Sequence, residues 1–347
     1  MSKDNTYILK GVAILMLLFL HLFCGQINEL RPELPKELYQ PLLYIGNFSI
    51  EYYITRCCWT FQIFFVLSGY GISYLHSHGR LTLKNRLKSL FFIFTAYWIT
   101  LLIFVSIGYI MGYSAYPGSL WTLIANASSY SNSYNLSMWF LFPYSLICLT
   151  SPFLIKFIKT KNSYKFSLIL TGLMYAIVSY IIKYHINEIG WQSFVSHILQ
   201  YLQYLFPFTC GIVMEKTDIF KHPICQWLNY NQLFTAILLI VIMFIRCLYD
   251  SRIFDTFYAL VFITLFIHIP MNEYVKRLLA FIGKYSMGIW MVHMFLSHYF
   301  FTEFIYGFRY PLLIFSVLVL CSITASIIIT KINNYTRQRL SSNKYQM

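Results

Sequence analysis

YILKGVAILMLLFLHLF, from Tyr7 to Phe23, holds one lysine and one histidine among residues that otherwise suit hydrocarbon. A helix that crosses a bilayer needs about 20 mostly apolar residues, and the apolar run around this stretch extends over residues 7 to 27. Nine further runs of that kind follow, at 57 to 75, 89 to 112, 136 to 157, 164 to 183, 193 to 214, 232 to 249, 253 to 270, 285 to 302 and 310 to 331. The expected fold is therefore an all-α integral membrane protein of about ten transmembrane helices. Residues 1–347 read as a single membrane-embedded unit with no internal repeat and no soluble accessory domain.

Composition supports that reading. Hydrophobic residues make up 58% of the 347 residues, charged residues 11%, and the mean hydropathy is +0.60. Soluble domains carry about 25% charged residues, so a water-soluble fold is excluded. The net charge of +14 is first a topology signal. With the N-terminus, every second loop and the C-terminus counted as one side, that side holds 19 of the 26 Lys and Arg residues and the other holds 7. Both termini are expected to be cytoplasmic, and a nucleic-acid partner is not expected. Phe23 to Leu30 offers no small-residue cleavage site, so the first helix is expected to stay in place. The eight cysteines show no CxxC or metal spacing. Cys24 is near enough in the expected topology to pair with Cys57 or Cys58.

Ionisable groups at membrane depth are costly and so direct attention to function. Lys10 and His21 are eleven steps apart, which at about 100° per step comes within roughly 20° of three full turns, so both project from one helix face. The plain reading of Lys10 is a snorkelling interfacial anchor, and that of His21 an interhelical hydrogen bond. Gln62 lies in the second long run among bulky apolar residues, where a buried amide needs partners. Arg80, Lys84, Arg86 and Lys88 follow it and read either as positive-inside anchors or as a phosphate clamp. Residues 114 to 137 are uncharged but rich in Tyr, Trp, Asn and Ser, a mixture suited to stacking on and hydrogen-bonding a sugar. The segment 28 to 56 offers Glu29, Glu33, Glu37 and Glu51 as candidate carboxylates. His293 and His298 are five residues apart, about 140° away from each other on a helix, which argues against a shared metal; none is expected.

The order of these features resembles a known family. Lys10-Gly-Val-Ala-Ile-Leu with His21, then FFVLSGYGIS (Phe64 to Ser73), RLKSLFFIFTAYW (Arg86 to Trp98), MWFLFPYSLICLTSP (Met138 to Pro152), FPFTCGIVMEK (Phe206 to Lys216) and GKYSMGIWMVHMFL (Gly283 to Leu296) resemble the acyltransferase 3 family of membrane acyltransferases. The family's first-helix motif is an arginine, ten intervening residues and then a histidine; here Lys10 replaces the arginine, keeping the cation and losing its bidentate geometry. Its arginine-x-arginine motif is matched by Arg86 and Lys88, or alternatively by Lys84 and Arg86.

The resemblance implies transfer of an acyl group, commonly acetyl, from cytoplasmic acyl-CoA to a hydroxyl of a cell-surface polysaccharide or lipid-linked glycan, in a prokaryotic plasma membrane. Under that reading Lys10, Arg86 and Lys88 hold the donor's phosphates, His21 is general base or acyl carrier, and Gln62, Trp139 and His293 line the substrate cavity. The implied partners are the glycan acceptor and membrane lipids, with a homo-oligomer left open. Competing readings are a transporter or flippase for a lipid-linked sugar, a membrane-bound O-acyltransferase of another class using His293, and a non-enzymatic interaction protein.

Overall fold

A computed structural model of the chain describes residues 1–25, 29 and 38–342, so Glu33 and Glu37 lie outside it. Helices dominate: α1 (Lys3–Phe23), α2 (Ile50–Thr55), α3 (Phe61–Ser77), α4 (Leu83–Ile110), α5 (Leu120–Ala127), α6 (Leu141–Phe157), α7 (Lys161–Ile189), α8 (Phe194–Lys216), α9 (Pro223–Tyr230), α10 (Gln232–Leu248), α11 (Asp255–Phe266), α12 (Glu273–Met294), α13 (Thr302–Tyr306) and α14 (Pro311–Ser342). Among the described residues the one sheet is a two-stranded hairpin, β1 (Tyr44–Ile45) and β2 (Phe48–Ser49).

Each of the ten apolar runs is occupied by a helix. By length and composition, however, seven spans can cross a membrane, or eight if α9 and α10, bent by 102° at their junction, count as one. The two left over are α8, which carries Ser196, His197, Gln200 and Gln203 among its apolar residues, and α11, whose 12 residues rise only about 18 Å against a hydrocarbon core of about 30 Å. The outer surface fits lipid: Leu102, Ile110, Ile240 and Leu320 are 65–81% exposed.

Two helix pairs pack so closely that only glycine fits between them. In the first, a Cβ on Gly11 of α1 would lie 2.0 Å from the Leu279 carbonyl of α12, and one on Gly283 would lie 1.8 Å from the Tyr7 carbonyl. In the second, Gly69 of α3 meets the Phe208 carbonyl and Gly211 of α8 meets the Val66 carbonyl, each at 2.0 Å. Small residues of this kind let helix backbones approach where hydrophobic burial cannot drive association. Both pairs run parallel, since Gly11 faces Gly283 as His21 faces His293, and Gly69 faces Gly211 as Ser73 faces Glu215.

α3 runs back along α1: Thr60 donates to the Ala13 carbonyl at 2.9 Å, and the Met1 amine donates to the Tyr70 hydroxyl at 2.8 Å. α14 returns to the end where α1 begins, with Asn333 bonded to Thr95 and to the Phe92 carbonyl near the start of α4. Both ends of the described chain therefore lie at one end of the bundle. Cys57 and Cys58 are free, buried thiols, so the bridge considered for Cys24 is not formed with either.

Candidate active site

The Gly11–Gly283 contact sets the register of α1 against α12. Ten residues further along both helices, His21 and His293 meet: His21 Nδ1 lies 2.6 Å from His293 Nε2, with the rings inclined by 10°. The other nitrogen of His293, Nδ1, lies 2.8 Å from the Trp290 carbonyl oxygen. A carbonyl can only accept, so His293 Nδ1 carries the proton and donates it. Neutral His293 Nε2 is then an acceptor, and His21 Nδ1–H donates to it. The lone pair of the pair is thereby left on His21 Nε2, which has no hydrogen-bond partner among the described residues. His293 is completely buried whereas His21 is only partly so. The basic nitrogen belongs to the accessible ring and the orienting nitrogen to the enclosed one.

Several elements hold this arrangement. Asn135, buried ahead of a 3-10 turn over Leu136–Phe140, donates through Nδ2 to the Met291 carbonyl at 2.9 Å. The Ser137 hydroxyl donates to Asn135 Oδ1 at 2.7 Å and lies 3.5 Å from the Trp290 carbonyl, and the Phe140 ring packs edge-on against Trp290 with centroids 3.8 Å apart. From α13, the Tyr306 hydroxyl donates to the Leu22 carbonyl at 2.9 Å, fixing the end of α1 beside His21. The segment 114–137 is thus tied to the histidine pair at its far end.

After Met294, α12 continues as a π-helix over Phe295–Phe300. Such widened turns are rare and often mark functional sites. The sequence expectation that His298 points some 140° from His293 assumed an unbroken α-helix. In the widened turn His298 lies close enough to His21 and His293 to act electrostatically on both. Its Nδ1 is 2.6 Å from the Ser297 hydroxyl, which itself donates to the His293 carbonyl at 2.9 Å. Among the described residues no group of three or more His, Cys, Asp or Glu side chains is placed to hold a metal ion.

The other sequence candidates lie at different depths. Thr60 meets Ala13, eight residues and about 12 Å from His21 along α1, and Gln62 lies two residues beyond it. Gln62 therefore does not share the His21 layer and lies closer in depth to Lys10. It is 2% exposed, and its Oε1 has no partner. Lys10 is half-buried in the middle of α1, and among the described residues it has neither an ion-pair nor a hydrogen-bond partner. Trp139 sits between the layers, its ring 5.3 Å from Phe61 and 5.5 Å from Tyr204.

Arg86 and Lys88 project from different sides of α4. Two residues on a helix are about 200° apart, and while Lys84 and Lys88 are exposed, Arg86 turns inward with a buried, unpartnered Nε. It comes near enough to Tyr144 and Cys148 of α6 to act on both electrostatically. Those residues lie one and two turns along α6 from Phe140. Tyr144, Phe140, Trp290, His293 and His21 thus form a continuous column, with Tyr144 and Phe140 rings 5.7 Å apart and Arg86 within electrostatic range of its Tyr144 end.

Of the candidate carboxylates, Glu29 is exposed and Glu51 is 1% exposed. Glu51 Oε1 accepts from the Leu42 amide at 2.9 Å while Oε2 has no partner. Beside it, burial pushes the Tyr39 phenol up to about 12, so this hydroxyl stays neutral against Ser49.

The contributions of Asn135, Ser137 and the Trp290 carbonyl are not evident from sequence, because two of them act through backbone atoms of α12. An uncharged Asn-x-Ser just before Trp-Phe is the one signal that points there.

A family model described as an acyltransferase domain matches residues 7–331, nearly the whole chain. No curated protein and no solved structure matches the chain.

Proposed function

The chain belongs to the acyltransferase 3 family, and from that premise we propose that it moves an acetyl group from acyl-CoA to a hydroxyl of a cell-surface or lipid-linked glycan, with His21 as general base. The observation that carries this reading is the hydrogen-bond chain from the Trp290 carbonyl through His293 to His21, which leaves His21 Nε2 with a lone pair and no hydrogen-bond partner among the described residues.

The step balances as follows. His21 Nε2 takes the proton of the acceptor hydroxyl as its oxygen attacks the thioester carbonyl. The carbon–sulfur bond breaks, the acyl group is left as an oxygen ester, and the imidazolium returns the proton to the departing thiolate. The cation formed on His21 keeps its Nδ1–H bond to His293, whose own N–H stays on the Trp290 carbonyl. A charge in so apolar a setting needs that partner. General-base catalysis of this kind contributes about 10²- to 10⁴-fold.

Donor binding falls to Arg86 and Lys10. Both are half-buried cations without a carboxylate partner among the described residues, which suits them to phosphate oxygens more than to anchoring. Lys88, exposed on the other side of α4, is dropped from that set. The excess of basic residues on one side of the sequence supports a cytoplasmic N-terminal end, so donor and acceptor would meet from opposite faces of a prokaryotic plasma membrane.

The test is acyl transfer by purified protein in detergent, read by mass spectrometry of the acceptor. His21→Ala should lower transfer by about 10²- to 10⁴-fold while acetyl-CoA still binds. Wild-type transfer by that variant overturns the reading.

A further inference from the structure

The opening turns of α8 hold a polar cluster that the transfer step does not use. His197 Nε2 lies 2.8 Å from the Tyr130 carbonyl, to which it must donate, so its Nδ1 is left as an acceptor. That atom is buried and no protein group among the described residues meets it. Three residues on, and so on the same side of the helix, Gln200 donates through Nε2 to Ser196 Oγ at 3.1 Å, while its Oε1 is likewise buried and unmet. Both side chains are 4% exposed. Gln62 Oε1, from the facing helix α3, is a third unmet acceptor nearby: Tyr204, one turn beyond Gln200, stacks with Phe65 at 4.4 Å and lies 5.5 Å from Phe61.

Aromatic rings frame these atoms. His197 lies 5.1 Å from Tyr130 and 4.7 Å from Phe142, and Trp139 closes on Tyr204. Trp139 belongs to the same turn whose Ser137 and Phe140 touch Trp290, so the cluster adjoins the histidine column across that turn.

We propose that His197 and Gln200 form a subsite for a hydroxyl-rich ring, a sugar unit of the acceptor, whose O–H groups donate to His197 Nδ1 and Gln200 Oε1 while the Tyr130, Phe142 and Trp139 rings pack on its apolar faces. His197 Nδ1 is fixed as an acceptor by the bond from Nε2 to the Tyr130 carbonyl, so it repels phosphate and carboxylate and calls for a donor. A hydroxyl can also satisfy Gln200 with its amide reversed, since Ser196 meets only one end of it. Assigning the subsite to the acceptor rests on the acyltransfer reading; the binding chemistry does not.

The experiment is a titration of the purified full chain, in a detergent without a sugar headgroup, with glucose, galactose and N-acetylglucosamine, followed by tryptophan fluorescence. At least one hexose should bind saturably, and Gln200→Leu and His197→Phe should each weaken it about tenfold. Their melting temperatures should change little, because each variant loses one hydrogen bond, to the Tyr130 carbonyl or to Ser196, while removing one unmet buried acceptor. If either variant fails to fold, Gln200→Met provides the same test at the second position. The proposal is overturned if no hexose binds, or if the variants bind as wild type, the result expected where the unmet acceptors hold only a structural water. Failure of the acyltransfer reading shows separately, as transfer surviving His21→Ala, and leaves hexose binding unaffected.

Discussion

The seams α1–α12 and α3–α8 are built alike and used differently. Each is a parallel pair notched by facing glycines, Gly11 with Gly283 and Gly69 with Gly211. Four residues past its glycines, the second seam places Ser73 against Glu215, with the hydroxyl donating to Oε2 at 2.6 Å and Ser77 adding a second contact at 3.2 Å. That is a lock: a carboxylate satisfied by hydroxyls near the bundle's end. Ten residues past its glycines, the first seam places two imidazoles that satisfy each other on one side only. The glycines supply register in both cases, and the residues carried along that register decide whether the seam fastens or reacts.

The largest expected effect breaks the two seams in turn. Gly11→Leu would drive a side chain into the Leu279 backbone and separate His21 from His293. Transfer should become undetectable, alongside a stability loss of about 3 kcal/mol. Gly69→Leu should cost similar stability, but the molecules that remain folded should turn over within a few-fold of wild type. Equal loss of turnover in both, measured per folded molecule, would erase the distinction.

A smaller effect separates the two basic residues of α4. Arg86→Ala should raise the donor KM about tenfold, in keeping with the loss of a charged hydrogen-bonding partner, and Lys88→Ala should change it less than about twofold, as an exposed charge does. Matching effects in steady-state kinetics would return both to simple anchoring. Next comes Asn135→Ala, which leaves the Met291 carbonyl unmet behind the histidine pair. It should lower kcat several-fold with the donor KM unchanged, at a cost of about 1–3 kcal/mol in stability. The smallest effect belongs to the lock: Ser73→Ala should lower stability by about 1 kcal/mol and leave transfer rates as they are.

Much of this was legible in the sequence. Each of the ten runs holds a helix over its described residues, although only seven or eight spans can cross a membrane, and Lys10 and His21 share one helix with His21 against His293. What the sequence could not supply was depth and rotation. Ala13 accepting from Thr60 shifts α3 along α1, so Gln62 falls about 15 Å short of the His21 layer. The π-helical turn at Phe295–Phe300 brings His298 back toward a pair from which an α-helix would have turned it. Arg86 and Lys88, adjacent in the motif, face opposite ways because the helix turns about 200° between them. Lengths were overestimated for α11, where the apolar run 253–270 continues past the last helical turn into a bend. Each of these depends on contacts between segments far apart in the chain, which periodicity within one segment does not encode.

The central claim is that His21 and His293 act as one unit, with His293 holding the tautomer that makes His21 Nε2 basic. A double-mutant cycle on the transfer rate tests it most directly. His293→Ala alone should lower kcat by about 10- to 100-fold with donor binding intact, and His21→Ala by about 10²- to 10⁴-fold. The pair His21→Ala/His293→Ala should be no slower than His21→Ala alone, because an orienting group has nothing left to orient. Losses that multiply in the double variant, or a His293→Ala enzyme as fast as wild type, would contradict the account.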